Sequence, residues 1–155
     1  MALMCILTFG LTSCSSDDDK DMTYPVISGE GIVANPIDCQ VYQRGTVIPF
    51  NYLFTDNDEL GAYNIEIHTN ADHHTHGTTS VECDDDDDHE HHHEAVNPWV
   101  YNQDFQIPAG TRSYTARIDI PIPADVDPGD YHFMIRLTDR AGWQQLHAVA
   151  IKIAE

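Results

Sequence analysis

Short runs in which large apolar residues alternate with polar ones constrain the fold of this chain more than any other feature. In residues 48–54 the bulky side chains stand at every second position, and the same period recurs in residues 63–67, 114–122 and 131–137. Because successive side chains of a strand point to opposite faces, each run predicts a strand with one buried face. Turn sequences such as Pro128-Gly129-Asp130 separate the runs. The sequence therefore predicts an all-β domain.

The size of the chain and the spacing of the strands favour a single β-sandwich. The 155 residues have room for one ordinary core. The segments Gly129-Asp130-Tyr131, Thr138-Asp139 and Ala141-Gly142-Trp143 resemble the closing hairpin of bacterial immunoglobulin-like repeats. This resemblance implies a single immunoglobulin-like antiparallel β-sandwich over residues 24–155. A long His/Asp-rich polar loop, residues 69–98, interrupts it, and loops of this length often carry function.

The charge of the chain is strongly negative. Lys and Arg total 7 against 26 Asp and Glu, which gives a formal net charge of -19. Phosphate backbones and anionic lipid surfaces would repel such a protein, so we do not expect nucleic acid to be a partner.

The first residues look like a processing signal. Residues 1–11 are apolar but too short to span a bilayer, and they end in Leu11-Thr12-Ser13-Cys14, which resembles the bacterial lipobox. The resemblance implies a signal peptide over residues 1–13 and a lipid on Cys14. The acidic residues 15–19 resemble the signal that sends Bacteroidetes lipoproteins to the cell surface. We therefore expect a lipid-anchored, surface-exposed outer-membrane protein with a tether over residues 14–23, although such a segment is also typical of a plain flexible linker.

The cysteines agree with export. Cys5 would leave with the signal peptide and Cys14 would carry lipid, so that Cys39 and Cys83 remain as an even pair. In an oxidising compartment this pair predicts a disulfide. Two free thiols acting as metal ligands are the alternative.

Residues 24–155 also resemble, as a whole, a family of Bacteroidetes lipoproteins that is known only as a domain of unknown function. The resemblance rests on residues 67–70, 72–76, 97–99 and 129–133. It implies a fold and a location, and it implies no mechanism.

Histidines are concentrated in and beside the polar loop. Imidazole is the commonest side-chain ligand of zinc and copper, and a carboxylate can complete or orient such a site. His74 and His76 point the same way if extended, and the strand ending at His68 should neighbour the strand that begins near His132. We therefore predict a tetrahedral zinc site at His68, His74, His76 and His132.

Further residues of the loop are weaker candidates for metal binding. They are Asp72, His73, His89, His91 and His93. An acidic, His-rich run binds metal loosely even without a defined geometry. Such a run is equally typical of a solvent-exposed, low-complexity segment that has no specific function. For the predicted zinc site, the alternative is that His132 is an ordinary exposed strand residue and not a ligand.

Two motifs match known metal-binding patterns in full or at their beginning, but the surrounding sequence does not fit those patterns. Residues 89–93 satisfy the His-Glu-x-x-His pattern of zinc proteases, but the run lacks the apolar helix face that this chemistry requires. Asp56-Asn57-Asp58 begins like a calcium loop, yet Leu60 and Ile67 stand where oxygen ligands belong, so we predict a turn, with weak calcium binding as the alternative. No general base is identifiable, and we expect no enzyme, with a metallohydrolase as the least favoured reading.

Two functions from different classes remain. The first is a non-catalytic, surface-exposed lipoprotein that binds divalent metal through its His cluster, with zinc favoured and copper or calcium possible, which would pass metal to a transporter. The second is an adhesion or accessory module that presents Trp99 and Tyr101 to a glycan or a surface protein, with incidental histidines.

Overall fold

The computed structural model describes residues 20–70, 83 and 96–155, and this part of the chain forms eight β-strands and no helix. No described segment is therefore a helix that could cross a membrane. The predicted signal peptide, Cys14 and all but a few residues of the 69–98 loop lie outside the described residues. The strands are β1 (Val26–Ser28), β2 (Gln40–Gln43), β3 (Val47–Thr55), β4 (Leu60–Thr69), β5 (Tyr101–Gln106), β6 (Ser113–Pro121), β7 (Gly129–Asp139) and β8 (Gln144–Ala154).

The strands form two sheets in a sandwich-like arrangement. One sheet has the order β1-β3-β6 and the other has the order β2-β8-β7-β4-β5. Every pairing is antiparallel except that of β2 with β8, which is parallel. The all-β prediction is confirmed for the described residues, and the expectation of purely antiparallel pairing is wrong at β2.

The alternating residues predicted to be buried do form the core between the sheets. Phe50 of β3 stacks on Phe133 of β7 with ring centres 5.8 Å apart, and both side chains are almost completely buried. Tyr63 of β4 stacks on Phe105 of β5 at 4.8 Å. Aromatic pairs at these separations add packing energy to the area that they bury.

The outer face of β7 differs from the expectation. The alternation in residues 131–137 predicts that His132, Met134 and Arg136 lie on an exposed face. Of these three residues, only Arg136 is exposed. His132 is 1% exposed and Met134 is 7% exposed. This strand is central in its sheet, with β4 on one side and β8 on the other, so its outward side chains are flanked by neighbours. The reading of His132 as an exposed strand residue is therefore wrong.

A disulfide joins Cys39 to Cys83, as the cysteine count predicts. Cys39 precedes β2, and its backbone N–H donates to the carbonyl of Ala150 in β8 at 2.8 Å. The bond therefore fixes residue 83 to the edge of the five-stranded sheet.

Candidate functional site

His68 and His132 face each other across two neighbouring strands. They are direct partners in the antiparallel register of β4 and β7. Their ring centres lie 5.5 Å apart. The alternation of β4 places His68 opposite in direction to the buried Ile67, so both rings stand on the outer face of the sheet. The sheet thus supplies a pair of imidazoles from a rigid base.

The spacing of the two rings suits a shared metal ion. Zinc–nitrogen bonds of about 2.0–2.1 Å in a tetrahedral arrangement place two imidazole centres roughly 5 Å apart. Glu66, two positions before His68 on the same face, brings its Oε1 to 3.2 Å from Nδ1 of His68. A carboxylate beside the ring adds negative charge to the site, which favours a bound cation.

The other predicted ligands lie outside the described residues, although the chain around them is anchored near the His pair. These ligands are Asp72, His73, His74, His76, His89, His91 and His93. Before them, the N–H of Asn70 donates to the carbonyl of Asp130 at 2.8 Å. After them, the N–H groups of Val96 and Asn97 donate to Asp127 Oδ2 at 2.8 and 2.7 Å. Asp127 and Asp130 flank the start of β7, the strand that carries His132.

The disulfide anchors the middle of the same segment. Ala150, which accepts the Cys39 hydrogen bond, is the direct β8 partner of His132. With strands about 4.8 Å apart, Cys39 lies roughly 10 Å from His132 along this row. The described chain is thus fixed on both sides of residues 71–82, which contain the predicted ligands His74 and His76.

A second group of ligand-type side chains lies at the opposite end of β7. One carboxylate oxygen each from Asp21, Asp56 and Asp139 lies within 4.8 Å of the other two. In the described part of the chain this is the one group of three or more His, Cys, Asp or Glu side chains with such spacing. The sequence did not predict it, because its members come from three separate segments and the segment around Asp56 reads as a turn.

The residues proposed to present a binding surface do not share one. Trp99 is 5% exposed and packs against Tyr131 with ring centres 6.3 Å apart, so it belongs to the core. Tyr101 is half-buried at the edge strand β5. An open groove of about 560 Å³ instead lies on the three-stranded sheet, lined by Val33, Asn35, Pro49, Asn51, Arg117 and Asp119 among others.

The last histidine of the chain points into the sandwich. His147 of β8 brings its Nε2 to 3.3 Å from the hydroxyl of Tyr52, which donates to the carbonyl of Pro36 at 2.6 Å. Burial lowers the pKa of His147, and the charge of Asp38 opposes this shift. His147 therefore has a structural role away from the His pair.

Residues 12–154 match the model of a protein family whose description is Domain of unknown function (DUF4625). No curated protein matches the chain significantly.

Proposed function

Because the chain belongs to the DUF4625 family, whose description assigns no activity, we propose from its own geometry that it binds zinc without catalysing a reaction. The site is built on His68 and His132 and completed by His74 and His76. Asp72, His73, His89, His91 and His93 supply weaker binding. The role is capture or buffering of zinc outside the cell, with copper as the metal of next preference.

The facing arrangement of His68 and His132 carries this proposal. Cross-strand partners are held by the backbone hydrogen bonds of a five-stranded sheet, so little conformational entropy is lost when both rings bind one ion. A third and a fourth ligand then need to come only from the segment that Asn70 and Cys83 anchor.

The charge of the protein supports a role in collecting cations. A net charge of -19 produces a negative potential that raises the local concentration of divalent ions. Glu66 contributes to this potential beside His68.

The proposal extends to the location and the finer fold. We propose that the protein is anchored by a lipid on Cys14 to the outer membrane and faces the exterior. The lipobox-like residues 11–14 and a disulfide typical of exported proteins support this location. We propose an immunoglobulin-like topology, supported by the Greek-key-like order β2-β8-β7-β4-β5 opposite β1-β3-β6.

The metal content of protein produced without a His tag tests the proposal. Purified protein incubated with zinc and dialysed should retain about one zinc per chain, and His68→Ala with His132→Ala should retain much less. His147→Gln is the matched control, because this half-buried histidine contacts Tyr52 and not the His pair, and it should retain zinc as the parent does. Equal zinc in the parent and the double variant would refute the site.

A glycan or protein partner is the second candidate function, and the groove on the three-stranded sheet favours it. Asn51 and Arg117 meet there through a hydrogen bond of 3.1 Å, which provides the planar polar groups that sugars and peptide groups bind. A glycan array with the parent and Arg117→Ala tests this candidate. Binding that the substitution removes would support it, and no binding would leave zinc capture as the sole proposal.

A further inference from the structure

The acidic cluster of Asp21, Asp56 and Asp139 forms a second cation site, and we propose that it binds calcium. The three residues lie before β1, between β3 and β4, and at the end of β7. Their ligand oxygens are all within 4.8 Å of one another. Calcium–oxygen bonds of about 2.3–2.6 Å allow ligands on opposite sides of one ion to stand roughly 4.6–5.2 Å apart. One calcium ion can therefore contact all three carboxylates.

The state of Asp139 points independently to a ligand. The residue is 4% exposed, and its Oδ1 accepts hydrogen bonds from the N–H groups of Gly142 and Trp143 at 2.6 and 2.8 Å. Its Oδ2 is buried and has no hydrogen-bond partner. A buried carboxylate oxygen is costly unless it is paired or coordinates a metal. Asp139 thus offers the cluster an oxygen that the protein itself does not satisfy.

Asp56 repeats this pattern. Its Oδ1 accepts from the N–H of Asp58 at 2.8 Å, whereas its Oδ2 is buried without a hydrogen-bond partner. Asp21 is held toward the cluster by Asn57, whose side-chain amide donates to Asp21 Oδ1 at 3.0 Å.

No basic side chain of the described residues neutralises the cluster. Arg112 pairs with Asp58 at 3.5 Å and Arg140 pairs with Glu59 at 3.1 Å, so the two nearby arginines contact other acids. Three carboxylates at such separations repel one another, and a divalent cation removes this repulsion.

The ligand set selects the kind of ion. All three donors are carboxylate oxygens, which suit hard cations, whereas zinc prefers nitrogen and sulfur. Calcium accepts an irregular shell of six to eight oxygens, including water, whereas magnesium demands a near-ideal octahedron. Donors drawn from three separate segments fit the more tolerant ion.

Calcium bound at this position would anchor the N-terminal segment that precedes β1. The indole N–H of Trp143 donates to the carbonyl of Asp21 at 2.9 Å, and the ring of Trp143 lies 4.9 Å from that of Tyr24. The ion adds a bond between this N-terminal segment and the turns after β3 and β7. It thereby fixes the direction in which the domain leaves its proposed membrane tether. His132 is seven residues from Asp139 along β7, about 23 Å away, so the two metal sites are independent.

Calorimetric titration of the chelator-treated full protein with calcium tests this site. The parent should bind one calcium ion at the cluster, while Asp139→Asn and Asp56→Asn should each weaken binding at least tenfold. Each Asn keeps the Oδ1 that caps its turn, so folding should be preserved. Asp119→Asn, an exposed acid on β6, and His68→Ala should bind calcium as the parent does. Equal calcium affinity in the parent and Asp139→Asn, or magnesium binding as tight as calcium binding, would overturn the proposal.

Thermal unfolding is a second test, because an acidic residue with a purely structural role would not make the melting temperature depend on calcium. In EGTA, Asp139→Asn should melt at or above the parent temperature, because it relieves repulsion among the carboxylates. In about 10 mM calcium the order should reverse, since only the parent gains the bound ion. A parent melting temperature that does not respond to calcium would overturn the proposal.

Discussion

His132 of β7 lies directly opposite His68 of β4, and the centres of the two imidazole rings are 5.5 Å apart. Ala150 and Cys39 continue the same row across β8 to the edge of the sheet. The disulfide partner of Cys39 belongs to the His- and Asp-rich segment. The row therefore runs from the His pair to the cysteine that is bonded to residue 83.

The disulfide should contribute to stability and to the shape of the zinc site. Replacing Cys39 and Cys83 with Ser should lower the free energy of unfolding by about 4 kcal/mol, because 44 residues separate the cysteines and the cross-link restricts the unfolded chain. Guanidinium unfolding measures this difference. Zinc affinity should fall as well, since residue 83 is no longer held near the pair. Unchanged stability and unchanged affinity would show that the bond constrains neither.

The lipid anchor depends on one thiol. Cys14→Ala should move the protein from the membrane fraction to the aqueous phase of a detergent partition, because lipidation requires this thiol. Cys39→Ser is the matched control and should stay with the membrane. If Cys14→Ala partitions as the parent does, the lipoprotein assignment is wrong.

Stability should fall in mild acid partly through His147. Burial keeps the folded-state pKa of this residue below its ordinary value of 6.5, so the unfolded chain takes up the proton first. The contribution of His147 is therefore fully present above about pH 6.5 and is lost as the pH falls below that value. His147→Gln keeps an N–H for Tyr52 and cannot be protonated. Urea unfolding at about pH 7.5 and 5.5 should show a smaller loss for this variant, and equal losses would exclude His147 as a source.

The sequence predicted the long strands well and the short ones poorly. Strands β3, β4 and β6 bury side chains at every second position, fully or in part, and this pattern was visible in advance, whereas β7 also buries His132 and Met134 on its outer face. In contrast, β1 and β2 have three and four residues, too few to establish a period. The edge strand β5 is mostly polar and exposed, and resembles a loop in sequence.

Some features of the candidate sites could also be predicted from the sequence, whereas features that depend on contacts between distant segments could not. The disulfide followed from the number of cysteines, and the facing of His68 and His132 followed from an expected strand order. The prediction that Trp99 is presented to a partner was wrong, because the sequence next to a polar loop does not indicate that this residue packs on Tyr131. The acidic cluster was missed, because only the folded chain brings Asp21, Asp56 and Asp139 together.

Zinc titration calorimetry of the tag-free protein at neutral pH tests the central claim most directly. We expect two classes of binding: about one tight ion at the His68–His132 site and weaker ions on residues 84–94. The tight class should weaken as the pH falls through roughly 6, where protons compete for imidazole. Replacing both His68 and His132 with Ala should abolish the tight class, while deletion of residues 84–94 should leave it intact. The reverse result, with the deletion removing all binding and the double substitution removing none, would contradict the account.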